Sequence, residues 1–195
     1  MRRDLISSAL ALLVLTLLLG VAYPLATTGV AQVLWPNKAD GSQVERDGRT
    51  VGSRLIGQDF DGDRRYFQSR PSATGYSADV TYFNNLGPNN RELRDQFAAS
   101  LAAYLKRERP YTPGLHRGGV PADAVQTSAS GVDPHISQDN ARIQARRVAD
   151  VRGLDLDRVL ELVGESTDGR GLGVFGEPGV NVLDINLALD AEASR

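Results

Sequence analysis

Residues 5–26 read LISSALALLVLTLLLGVAYPLA, an apolar run with no Asp, Glu, Lys or Arg. At about 1.5 Å per residue such a helix spans ~33 Å, enough for a ~30 Å hydrocarbon core. Tyr23 and Trp35 stand at or beyond its far end, where amphipathic rings suit the headgroup level. Pro24 falls where a kink or stop costs little. The pattern predicts a membrane anchor over residues 5–26. Two other patterns compete with it: a cleaved signal peptide with its apolar part at 5–20, and a buried core helix. The run is longer than the usual h-region of about 7–15 residues, which favours the anchor over the signal peptide. Arg2 and Arg3 precede the run and the next cation is Lys38. The positive-inside rule therefore places residues 1–4 in the cytoplasm and the remainder outside. Anchor and signal peptide alike export the rest of the chain.

The polar and apolar positions after the anchor predict a connector at 27–50, rich in turn formers, and a soluble domain at 51–195. Short β-like runs occur at 51–56 and 65–67. Residues 70–90 are rich in Pro, Ser, Gly and Asn and predict ordered loop. A helix opens with Asn89 as cap and Glu92 three residues on, and carries Leu93, Phe97, Leu101, Tyr104 and Leu105 on one face. Lys106 and Arg107 suit its end, and Pro110 and Pro113 stop it. Pro121 can open a short helical turn. Ser137 reads as the N-cap of a second helix, with Ile136 and Ala141 as a hydrophobic staple and Gly153 as the stop. Asp155 caps a third, which Gly164 ends. Residues 180–189 alternate, with Leu183, Ile185, Leu187 and Leu189 on one face, and predict a buried strand that turns helical toward Asp190. The expected fold class is α+β: one N-terminal transmembrane helix, then a single soluble domain with about three helices and a small sheet.

Composition narrows the function classes. The chain has 195 residues, 41% hydrophobic and 24% charged, an ordinary globular balance with net charge -2. No basic stripe occurs, so nucleic acid is not an expected partner. There is no cysteine, which excludes disulfides, thiolate metal sites and a cysteine nucleophile.

Candidate chemistry is sparse. His135 stands near Asp133 and Asp139, too few convergent groups for a metal site, and Asp133 and His135 more simply bond the loop's own backbone. Ser128, Ser130, Asp133 and His135 share one short stretch without a GxSxG elbow, so no hydrolase is expected. Glycines 169, 171, 173 and 176 lack the Lys-Ser/Thr of a phosphate loop. Residues 73–77, ATGYS, echo a potassium selectivity filter, but a filter needs several such loops around a pore between membrane helices.

Four segments carry more information: RPSAT at 70–74, VQTSASGVDPHIS at 125–137, IQARRVADVRGL at 143–154 and GEPGVNVLDINLALD at 176–190. With YPLATTG at the end of the anchor, they closely resemble the KdpC family of the Kdp-type potassium-transporting ATPase, over nearly the whole chain. A departure lies before Asn85, where Tyr82, Phe83 and Asn84 replace the family's typical Gly-Gly-Ser run. The resemblance implies a non-catalytic subunit of a high-affinity potassium uptake complex in a bacterial inner membrane. The implied partners are a potassium-conducting subunit, a P-type ATPase subunit, a very small membrane subunit and the lipid bilayer. The expected role is to stabilise that assembly. The family is also described as a chaperone that raises ATP affinity of the catalytic subunit, which would make ATP a ligand and conflicts with an exported domain. Arg70, Pro71, Ser72, Thr74, Ser128, Ser130, Asp133 and His135 are the candidate functional residues, either facing a partner or pinning internal turns.

Overall fold

A computed structural model describes residues 1–46, 48–60, 62–77, 79 and 85–192. The chain is a mixed α+β protein that divides into two compact units, 1–51 and 52–195. In the first, helix α1 runs Arg2–Leu34, long and apolar enough to cross a membrane. It does not stop at residue 26, because Thr27 to Leu34 carries no breaker strong enough to end it. Pro24 is absorbed by a π turn at Leu18–Ala22 just before it. A proline removes one N–H and crowds the preceding turn, and this register shift loosens the turn that must accept it. Thr27 Oγ1 donates to the carbonyls of Tyr23 and Pro24, each at 3.0 Å. Past Trp35 come a single helical turn, α2 (Pro36–Ala39), and strands β1 (Gln43–Arg46) and β2 (Arg49–Ser53), paired in a two-stranded sheet. The expected connector is thus largely regular.

In the second unit, four helices and three short strands stand among the described residues, one helix more than expected. Helix α3 (Arg91–Glu108) is capped by Asn90, not Asn89, whose side chain accepts from the Glu92 N–H at 2.8 Å. Short 3₁₀ turns follow at Arg117–Gly119 and, after Pro121, at Ala122–Ala124. Strand β3 (His135–Ile136) leads to helix α4 (Gln138–Arg152), capped by Ser137 Oγ and ended by Gly153 at φ 67°. Only glycine adopts that left-handed geometry freely. Asp155 caps α5 (Leu156–Glu165), which runs one residue past Gly164.

Strands β4 (Thr167–Asp168) and β5 (Gly179–Asn181) complete a three-stranded antiparallel sheet, order β3-β5-β4, with Ile136 and Thr167 both opposite Val180. The expected long strand at 180–189 does not form: only its first residues pair, and α6 (Val182–Glu192) takes the rest. Val182, Ile185 and Leu189 bury together at helical spacing, and Asn181 Oδ1 accepts from the Asp184 N–H at 3.2 Å as a start signal. Ile185 and Leu189 fit both a period of two and a period near 3.6, whereas Val182 joins them only at helical spacing and Leu187 is not buried.

The expected strand at 65–67 is not one. Phe67 is fully buried, yet its backbone is met by the Asn186 carboxamide, which accepts from Phe67 N–H at 2.8 Å and donates to its carbonyl at 2.9 Å. Gln144 does the same for Gln68, at 2.8 and 3.1 Å. Two side-chain amides replace a neighbouring strand, so these buried backbone groups still find partners. The core joins Phe67 and Ile136 to α4, α5 and α6 through Val148, Val159, Leu162 and Ile185.

Candidate functional site

The two loops flagged by their motifs meet. Arg70 Nη1 donates to Asp133 Oδ2 at 2.9 Å, with both side chains about a quarter exposed (24% and 29%). Ser72 Oγ donates to the Gly131 carbonyl at 2.5 Å, and the Ser128 N–H donates to the Pro71 carbonyl at 3.3 Å. Ser72 Oγ also accepts from the backbone N–H groups of Thr74 and Tyr76. Thr74 Oγ1 donates to the Ser77 carbonyl, and Tyr76 Oη donates to the Arg70 carbonyl at 2.7 Å. Burial, with a smaller push from Asp59, raises the Tyr76 phenol to about 12.

Small residues set the spacing of this clasp. Gly131 has φ 74°, and a Cβ there would lie 2.8 Å from Thr74 Oγ1. Gly57 donates its N–H to the Val132 carbonyl at 2.7 Å, and a Cβ on it would sit 2.5 Å from the Asp133 carbonyl oxygen. Ser128 is buried, whereas Ser130 is exposed and its Oγ accepts from the Val132 N–H.

His135 extends the clasp into the sheet. Its N–H donates to Asp133 Oδ1 at 2.9 Å, and its Nε2 lies 2.7 Å from Asp168 Oδ2 on β4. The imidazole thus faces a carboxylate on each side, with Asp133 Oδ1 3.8 Å from Nδ1. Ser72, Thr74 and Ser130 spend their hydroxyls on backbone partners, and Ser128 is tied in through its backbone N–H and carbonyl. The ATGYS stretch is a turn of the clasp, with Gly75 and Tyr76 at positive φ. Among the described residues no group of three or more His, Asp or Glu side chains is placed to hold a metal. Residues 82–84 lie outside the described residues.

A second polar system lies behind the clasp, and reading the sequence missed it. Arg147 and Glu108 are both fully buried, and Arg147 Nε donates to both carboxylate oxygens at 3.1 Å. Arg147 also donates to the carbonyls of Arg64 and Tyr66 and to Gln144 Oε1. Burial pulls its guanidinium below the ordinary value, while Glu108 holds it up. Gln144 Nε2 donates to Asn140 Oδ1 at 3.0 Å, and Tyr104 Oη donates to the same oxygen at 2.9 Å. Asn140 Nδ2 and Ser137 donate to Asp123, which ties the 3₁₀ turn at Ala122–Ala124 to α4. Arg152 caps the carbonyls of Arg65 and Leu189 and lies 4.7 Å over the Tyr66 ring. The signal available in sequence was Asn140, Gln144 and Arg147 recurring at helical spacing on the face that carries Ala141, Ala145 and Val148.

The Gly-rich stretch forms a closed hairpin. The N–H groups of Gly171, Gly173, Val174 and Phe175 donate to the hairpin's own carbonyls, so none of these is held out toward a phosphate.

The family model described as K⁺-transporting ATPase, c chain (KdpC) matches residues 5–191. A potassium-transporting ATPase KdpC subunit from Rhodospirillum rubrum is 57% identical over 178 residues, covering 90% of this chain and 89% of the relative. One from Polaromonas naphthalenivorans is 52% identical over 181 residues, covering 91% and 89%. One from Myxococcus xanthus is 50% identical over 187 residues, covering 94% and 86%.

Proposed function

The chain belongs to the KdpC family, the c chain of the K⁺-transporting ATPase, and from that premise we propose that it is the non-catalytic subunit that stabilises the assembled pump. It holds the potassium-conducting and ATP-hydrolysing subunits together with the very small membrane subunit. Residues 1–4 lie in the cytoplasm, residues 5–26 span the bilayer within α1, residues 27–50 connect, and residues 51–195 form the domain outside. The match from residue 5 to 191 carries the subunit assignment. The arginine pair at the start of α1, against no further cation until Lys38, supports the orientation. The candidate loop residues support a structural part: Arg70, Pro71, Ser72, Thr74, Ser128 and Asp133 pin one another, which sets the shape a partner would meet.

Reporter fusions at the C-terminus test the orientation. A reporter active only outside the membrane should work and one active only inside should not. The reverse result would revive direct contact with ATP and the chaperone role. Deleting the gene should abolish growth at low external potassium, and undiminished growth would overturn the accessory role.

A further inference from the structure

Between β4 and β5 the chain makes a tight hairpin whose tip is apolar and bare. Leu172, Val174 and Phe175 are 92%, 67% and 67% exposed, while neighbouring α5 and α6 bury most of their large apolar residues. The hairpin is rigid in construction. Gly171 and Phe175 exchange both backbone bonds, at 2.8 and 2.9 Å, and Val174 N–H donates to the Gly171 carbonyl at 3.1 Å. Arg170 and Glu177 pair across its shoulders at 2.8 Å.

The two central residues have positive φ, 51° at Leu172 and 79° at Gly173, the pattern of a type I′ turn. Asn or Gly favours the first of these positions, and leucine is a poor choice there. Leu172 is therefore unfavourable twice, once in backbone conformation and once in exposing its side chain to water, with no return inside the chain. A strained residue held at an exposed tip points to a contact made elsewhere.

We infer that residues 172–175 are a preformed knob that enters an uncharged apolar socket on another protein subunit of the transport complex. Charge selects a protein over the bilayer surface. A loop that enters anionic lipid carries cations at its shoulders. Here the shoulders hold Asp168, bonded to His135, and an Arg170–Glu177 pair that cancels. Glycines at 169, 171, 173 and 176 leave the three apolar side chains as the tip's whole surface. A rigid tip loses little freedom on docking.

The inference rests on the assembly role proposed above, and the test separates the two. The full-length chain is co-expressed with the other subunits, and the complex is recovered through a tag on the ATPase subunit. Leu172→Asn with Phe175→Ser should reduce recovery of this chain about tenfold, as loss of a buried anchor does. Its melting temperature should stay level or rise, because Asn suits the turn. Phe175→p-benzoylphenylalanine should crosslink under light to one defined subunit of the complex, and the same group at exposed Gln126 should not. Equal recovery of parent and variant, crosslinks to lipid only, or none, would overturn the inference while leaving the assembly role standing. Failure of the parent chain itself to be recovered would overturn both.

Discussion

Glu108→Ala isolates the charge pair on which the second unit's interior depends. Glu108 and Arg147 are each 0% exposed by side chain. Truncation leaves a guanidinium inside with only neutral acceptors, the carbonyls of Arg64 and Tyr66 and Gln144 Oε1. Removing one partner of a buried pair costs about 3–5 kcal/mol. A domain's whole stability is about 5–15 kcal/mol. At ~3 °C per kcal/mol the melting temperature should fall by about 9–15 °C. Arg147→Met fails for a different reason. Glu108 keeps Arg107 Nε at 2.7 Å, but the Arg64 carbonyl loses its donor and the Tyr66 carbonyl keeps only Gln68 Nε2, at 3.2 Å. The orphaned Arg64 carbonyl costs about 1–3 kcal/mol. The double variant Glu108→Ala with Arg147→Met removes the stranded charge, so it should be more stable than the sum of the singles predicts by about 2 kcal/mol or more. Thermal melts of the full-length protein in detergent, followed by circular dichroism, read all three. A Glu108→Ala melt within ~3 °C of the parent, or strict additivity in the double variant, would refute the pair's role.

Asp133→Asn should cost about 1 kcal/mol, because the Arg70 pair is partly solvated and the amide oxygen can still accept from the His135 N–H. Asp133→Ala, which also loses that turn bond, should cost about 1 kcal/mol more in the same melt. Gly131→Ala, at φ 74° with Thr74 Oγ1 2.8 Å from the new methyl, should destabilise by more than about 1 kcal/mol in urea titration. Burial raises the phenols of Tyr76, to about 12, and Tyr104 above the ordinary 10. The neutral rings favour the folded state, so this stability is complete below pH 10 and is lost as pH rises through the folded values. In an alkaline absorbance titration Tyr76 and Tyr104 should ionise late and together with unfolding; ionisation of both near pH 10 in the folded protein would contradict the burial.

The features legible in the sequence obeyed local rules. Ser137, Gly153 and Asp155 act where their own types dictate, because a cap needs only its next three residues. The apolar run declared α1, though not its end, since nothing between residues 27 and 34 forbids helix. Long-range polar pairing was not legible. Residues 65–67 look like a strand because Phe67 must be buried, and only the fold shows that Asn186 and Gln144 satisfy the backbone instead. Arg147 reads as one of several arginines in α4, with no local mark that separates it from Arg146 beside it, which is exposed. The motif residues stood out as chemistry, yet their spacing could not say whether Arg70 would reach a partner's carboxylate or Asp133.

The clasp and the hairpin are linked through His135 and Asp168, so on the inference above the motif residues position the tip without touching another subunit. Arg70 fixes Asp133, Asp133 fixes the His135 backbone, and His135 Nε2 meets Asp168, the last residue of β4. The hairpin leaves the sheet at Asp168 and returns at Gly179, where an added Cβ would lie 3.0 Å from the Cβ of His135. Both legs of the hairpin are thus set against His135. A clasp variant should weaken recovery of the subunit in proportion to its loss of stability, because it loosens the base of the knob. A tip variant should weaken recovery with no such loss. The ratio of the two effects tells a positioning residue from a contacting one, and Asp133→Ala beside Leu172→Asn is the pair that measures it.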